Sequence, residues 1–495
     1  MNFFKRLRLL FDSDFFLPSL FFIGLAISGV SLWNAPLDEM GDEALIGLQT
    51  IRASHFQEGV GPYSRAGFRH PGPISFYLYA AADTAFVFIK SPDQRYRYFQ
   101  MLLNAGLFLW FFAIFRRLTS KRAALVYSAI FLITMSPVSN GFYFSIWGPL
   151  VLIVPYLLFF AAYIGFSKGH LADIFAIVFS SIFLIQNHIG SVVIVGPFVL
   201  VGLIQFWRNK PELSRNDLYP IVWTSLLLII TSLPMLIDQF FGTGNISKIF
   251  QYFTGSGSAA RRFDVVIVYL TNYYLDPVRQ ILPSVNSVAW FGFLTGMPLL
   301  VWNRLAEIWK LIYFNLLLMF VLSLVGALRV SGDLLPHLFW YLYPFVAFHF
   351  LLIIVSLKEL IAINQFTPKK LNLHVSIILL LLVFTVYKPV VLKSSEPTLA
   401  QIMYIQVKNY PSPYRLVFPI GSNTHNRWVE ATGLALKLTR EKKAYCIDSE
   451  WSFMFPPGSV CSDNFQGTVV RFLPIPADDK GITLASPIFS IEIKN

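Results

Sequence analysis

Residues 15–33 read FFLPSLFFIGLAISGVSLW, and residues 34–43, NAPLDEMGDE, follow without a break. This uncharged, mostly apolar run of nineteen residues matches the ~20 that carry a helix across a bilayer, and it gives way abruptly to four carboxylates. Lys5, Arg6 and Arg8 precede the run, and no small-residue cleavage site separates it from the acids, so it reads as a start-in anchor and not as a cleaved signal peptide. That places the N-terminus in the cytoplasm and Asn34 outside.

The rest of the chain agrees with a membrane solvent. Of 495 residues, 55% are hydrophobic, 17% aromatic and only 13% charged, against roughly 45–50% apolar and 25% charged in soluble proteins. Apolar runs of spanning length recur along the first four fifths, with no ten-residue alternation of a barrel. The expected fold class is an α-helical polytopic membrane protein. A formal charge of +12 is explained by Lys and Arg collecting in short cytoplasmic loops, which leaves nucleic-acid binding with little support.

Parity sharpens the topology. The stretch Ile74 to Ile89 is apolar but carries Asp83, and a charge at mid-bilayer costs about 2.5–3.5 kcal/mol on insertion scales. If it lies along the outer surface, Arg116, Arg117, Lys121 and Arg122, then Lys168, then Arg208, Lys210 and Arg215, then Arg304 and Lys310, then Lys358, Lys369 and Lys370 all fall inside. Counting it as a span inverts every one of them. The count is then about eleven spans. The expected organisation is a transmembrane domain over 1–390, with a first outer loop at 34–97 that carries the active site, and an extracytoplasmic α/β domain over 391–495. The tail is more polar, is punctuated by prolines, and has β-like runs at Leu416-Val417-Phe418 and Val469 to Leu473. Cys446 and Cys461 are the chain's two cysteines. A disulfide would stabilise the tail by roughly 3 kcal/mol in the chain-entropy model; a pair of free thiols is the other reading.

The acids lead into Ala44 to Arg52, where Leu45, Leu48 and Ile51 recur at helical spacing, so they sit at a helix start. A helix beginning by Asp38 puts Asp38 and Asp42 on one face and Glu39 and Glu43 on another, where like charges repel by a few tenths of a kcal/mol. Capping and the helix dipole supply a bland explanation for acids in a first turn. Position beside a membrane, with no equal cluster elsewhere, supplies a functional one. The loop then runs through Gly59, Gly61, Pro62 and Gly67 to Arg69-His70-Pro71-Gly72-Pro73, a rigid irregular backbone suited to holding polar groups toward a ligand. Arg65, Arg69 and His70 are candidates to face a phosphate; the alternative is a tight turn with snorkelling arginines.

This order of motifs resembles the GT-C superfamily of polyprenol-dependent membrane glycosyltransferases, which includes the protein O-mannosyltransferases and the bacterial aminoarabinose transferase. Asp42-Glu43-Ala44 is similar to that family's acidic pair, with Asp38-Glu39 as the alternative registration. Arg69 to Pro73, then Phe76-Tyr77-Leu78-Tyr79-Ala80, is similar to its Lys-Pro-Pro-like turn and aromatic helix. The chain departs from the pattern in having His70 where the family has Lys, and Gly72 between the prolines. The resemblance implies a polyprenyl-phosphate sugar donor, an envelope glycan, lipid or protein acceptor, and a multi-pass protein of the bacterial inner membrane. It implies Asp42, Glu43 and Asp38 as catalytic carboxylates, with Asp42 the base. Donor phosphate binding falls to Arg69, His70 and Arg65, joined by Arg329 and His337 from a late outer loop. Some members bind a divalent cation through such acids, Mg2+ or Mn2+, but this loop offers no defined ligand set. Two rivals are a transporter or flippase of a lipid-linked or anionic solute, and a non-catalytic scaffold subunit.

Overall fold

The computed structural model describes residues 39–135, 142–209, 218–255, 261–276, 279, 286–330, 333–361, 398–418, 427–473 and 489–494. Within them, six helices are long and apolar enough to cross a membrane: Pro92–Leu118, Gly148–Ser167, Ile189–Arg208, Leu218–Phe241, Glu307–Leu328 and Pro336–Leu360. Two shorter apolar helices, Leu171–Asn187 and Ser287–Leu300, accompany them. The chain is a multi-pass membrane protein. The expected first span, Phe15 to Trp33, and the stretch leading to Val390 lie outside the described residues.

The chain divides into two compact units. The first is drawn from 1–31, 98–231 and 254–390 and is helical among its described residues. Its interior is aromatic: Tyr127 packs on Phe111, Phe115, Phe131 and Phe348, the last at 4.1 Å between ring centroids. Gly148–Ser167 is buried along its whole apolar window. Polar groups inside such a bundle have no water to turn to, so they bond within the protein. Tyr127 donates to the carbonyl of Pro344 at 3.1 Å, and Asn104 to that of Tyr143 at 2.8 Å.

The second unit draws on 32–97, 232–253 and 391–495. Strands β1 (Tyr414–Val417), β2 (Tyr445–Ile447), β3 (Gly467–Phe472) and β4 (Phe489–Lys494) form one sheet in the order β2-β1-β3-β4. The pairs β1·β2 and β1·β3 are parallel and β3·β4 is antiparallel. In β1 the alternation is clean: Tyr414 and Leu416 point into the core, while Arg415 faces out to Asp448 at 2.7 Å. The core is not made by the tail alone. Ala44, Leu45 and Leu48 of helix Gly41–Ser54 join Met403, Leu434, Leu438, Trp451 and Phe472 in one buried cluster. Helix Trp428–Arg440 packs closely on this region, and a Cβ on Gly433 would lie 3.1 Å from the carbonyl oxygen of Glu39.

Helix Ile74–Ala85 is 12 residues long, about 18 Å, well short of a ~30 Å hydrocarbon core. Asp83 is paired with Arg95 at 3.0 Å. Cys446 and Cys461 are disulfide-bonded across a separation of 15 residues. Replacing both by Ala is expected to cost the unit about 3 kcal/mol, read as a lower melting temperature of the oxidised protein in detergent; reductant should lower wild-type stability alike and leave the double variant unchanged.

Candidate active site

Helix Gly41–Ser54 begins at Gly41, with Asp42 and Glu43 in its first turn. The acids therefore start a helix as expected, but three residues later than a start at Asp38 requires. Asp38 lies outside the described residues. Glu39 precedes the helix and is ion-paired with Arg440, with one oxygen 2.5 Å from a guanidinium nitrogen. It shares no helical face with Glu43.

Asp42 and Glu43 are each fixed by a partner from another part of the second unit. The Tyr63 hydroxyl donates to Asp42 Oδ1 at 2.6 Å. Burial pushes the Tyr63 phenol well above its ordinary range, Asp42 adds to this, and Arg65 opposes it. Glu43 Oε1 lies 2.5 Å from Arg97 Nη2. The Arg97 guanidinium also donates through Nε to Asp93 Oδ2 at 2.7 Å, and both of these side chains are buried. Desolvation raises the Glu43 carboxyl above the usual carboxylate range; Arg97 pulls it back, while Asp93 and Asp42 push it further up. One oxygen of Asp93, Oδ1, is buried with no hydrogen-bond partner.

Asp93 and Arg97 did not emerge from the sequence, although the signal was present. An Asp and an Arg four apart in the first two turns of Pro92–Leu118, a helix long and apolar enough to cross a membrane, form an (i, i+4) pair that a membrane protein rarely leaves unused.

The Gly- and Pro-rich loop folds back on itself. Gly61 N donates to His70 O and His70 N to Pro62 O, each at 2.8 Å, and Ser64 N to Phe68 O at 3.2 Å. Its base is tied to the C-terminal end of helix Gly41–Ser54. Arg52 reaches Glu58 at 3.2 Å, and Gln49 donates to Gly61 O at 3.1 Å. Burial raises the Glu58 carboxyl, with Arg52 and Arg69 opposing.

The predicted cations divide. Arg65 is exposed, on the same hairpin as Tyr63. Arg69 is only 7% exposed and its guanidinium donates to the carbonyl of Phe455. Its backbone is bracketed by Asn245, whose side chain accepts from Arg69 N at 2.8 Å and donates to Arg69 O at 2.9 Å. Burial pushes the Arg69 guanidinium down to about 10, with Glu58 opposing, while its Nη1 has no partner. His70 is half-buried, its backbone engaged in the hairpin.

Arg329 and His337 belong to the first unit. Arg329 ends helix Glu307–Leu328, beside the Val330 carbonyl that accepts from Arg261 at 3.0 Å. His337 lies 5.2 Å from the Trp147 ring, and Trp147 lies 5.5 Å from Trp340. Packing holds the His188 imidazole down to about 4, with His337 acting in the same direction. Among the described residues no group of three or more His, Cys, Asp or Glu is placed to hold a metal ion. Tyr63 occupies one oxygen of Asp42, and Arg97 one oxygen of Glu43.

No family model matches the chain, and no curated protein matches it. Among solved structures it is similar to the crystal structure of ArnT from Cupriavidus metallidurans bound to undecaprenyl phosphate, with a TM-score of 0.47 and 13% identity over 92% of this chain and 93% of that one. A likeness so distant carries no argument about the reaction.

Removing Arg97 leaves a buried carboxylate uncompensated, a change that costs about 3–5 kcal/mol at comparable buried pairs. Arg97→Met is therefore expected to lower the melting temperature sharply. Adding Asp93→Leu, which removes the stranded charge, should recover much of the loss, and a double variant no more stable than the single one would refute the pairing.

Proposed function

We propose that this protein is an integral-membrane glycosyltransferase of the GT-C type, which transfers a sugar from a polyprenyl-phosphate donor to an envelope glycan, lipid or protein on the outer face of a bacterial inner membrane. The observation that carries this reading is the pair Asp42 and Glu43 at the first turn of a buried helix, each held by a separate partner. A carboxylate aligned by Tyr63 accepts the acceptor's hydroxyl proton as the new bond to the anomeric carbon forms. The bond from that carbon to the phosphate oxygen breaks on the opposite side, so configuration inverts and polyprenyl phosphate leaves. Asp42 is the base in this scheme. Glu43, ionised against Arg97, accepts a hydrogen bond from donor or acceptor and orients it.

Charge developing on the leaving phosphate calls for a cation nearby. Arg65, exposed on the hairpin next to Tyr63, suits that task best, with His70 beside it on the same loop. The buried Arg69 serves from behind by holding the hairpin to Phe455. Arg329 and His337, on a late outer loop, are separate candidates to bind phosphate. The tail, 391–495, is the extracytoplasmic part of the scheme.

Purified protein given radiolabelled polyprenyl-phosphate sugars and envelope extract tests the assignment. Asp42→Asn is expected to cut transfer by about 10²–10⁴-fold, the range of a general base, and undiminished transfer would overturn it. The Glu43 carboxyl sits above the ordinary range, so activity should fall, as pH drops, already above the pH at which a free carboxylate protonates. In Glu43→Gln that limb should vanish from the residual pH-rate profile.

A further inference from the structure

Helix Leu218–Phe241 shows apolar side chains outward along its last turns: Leu233 is 53% exposed, Ile237 51%, Phe240 73% and Phe241 88%. Only three residues, 242–244, separate its end from helix Asn245–Thr254. Asp238 ties that turn down. Its carboxylate accepts from Thr243 N at 3.0 Å and Asn245 N at 3.2 Å, and Gly244 takes the positive φ of 67° that the reversal requires. Gln239 adds a two-way bond to Ser247, donating to its Oγ at 2.7 Å and accepting from its N at 3.1 Å. The second helix therefore starts within about 14 Å of the span's last residue, in a fixed direction.

Its faces are sorted. Asn245 and Ile249 are buried, and Tyr252 and Phe253 pack on Phe68 of the hairpin. Lys248 and Gln251 occupy an exposed polar arc. Between the two lies a third strip, Ile246, Phe250 and Phe253, spaced i, i+4, i+7 and exposed by 36%, 68% and 55%. An apolar strip flanked by protein on one side and polar residues on the other has the form of an interfacial helix.

We propose that helix Asn245–Thr254 lies in the plane of the membrane surface where Leu218–Phe241 emerges, with Ile246, Phe250 and Phe253 sunk at the boundary of lipid headgroups and acyl chains. The strip continues the outward apolar face of the span, so the occupant that covers the one covers the other. The polar arc carries a single cation, Lys248, so the contact depends on acyl chains and not on anionic headgroups. Through Asn245 and Phe68 the helix also carries the 61–70 hairpin, which fixes that loop's height above the bilayer.

The two native cysteines are joined to each other, so a single introduced thiol takes a fluorophore selectively. Full-length protein in phosphatidylcholine nanodiscs, labelled at Ile246→Cys, Phe253→Cys, Lys248→Cys or Gln251→Cys, is compared for quenching by lipids brominated high on the acyl chain and by aqueous iodide. The ratio of lipid to iodide quenching is expected to be several-fold higher at 246 and 253 than at 248 and 251, and unchanged when phosphatidylglycerol is added. Iodide quenching at 246 and 253 equal to that at 251 overturns the proposal. Protection of 246 and 253 from both quenchers also overturns it, in favour of a protein partner or second copy.

Discussion

Arg97 is the fixed point of the second unit. It holds Glu43, in the first turn of helix Gly41–Ser54, and Asp93, in the first turns of helix Pro92–Leu118, on one guanidinium. Two carboxylates in a poorly hydrated region cannot stay close without such a cation, because desolvation and mutual repulsion both favour protonation. Arg is the residue for this work: its planar fork serves two acceptors at once and keeps its charge when buried. The position of the acidic pair thus depends on a side chain more than fifty residues further along.

Apolar packing supplies the other half of that placement. Helix Gly41–Ser54 turns Ala44, Leu45 and Leu48 into the core shared with the sheet and with helix Trp428–Arg440. Its opposite end grips the hairpin through Gln49 and Arg52. Asp42 and Tyr63, 21 residues apart, meet because both ends of that helix are anchored. Burial without water also explains the polar bonding pattern. Arg69 finds a carbonyl, Asn245 finds a backbone, and Glu58 finds Arg52.

Much of this was legible in local pattern. Helical spacing after the acids, the prolines and glycines of the folded-back loop, the shortness of the segment after Pro73 and two of the four strands all follow from periodicity and turn chemistry. Spacing alone leaves the start of helix Gly41–Ser54 open, because an acid at Asp38 and one at Asp42 look alike to a 3.6-residue period. Glu39 went to Arg440, some four hundred residues away, and spacing cannot report such a partner. The charge of Arg69 is visible in the sequence, whereas its burial and its bond to the Phe455 carbonyl are not.

By itself, the sequence determined the solvent. Hydrophobic fraction, run length and the sorting of Lys and Arg are properties of composition and order, and they require a polytopic helical protein whatever its contacts. It also determined where carboxylates and turns occur along the chain. Which of them meet was decided only by tertiary structure, in which the stretch carrying helix Gly41–Ser54 and the distant tail close one core. Pairing energies between charges depend on separation and on exclusion of water. Neither quantity exists until the chain has folded.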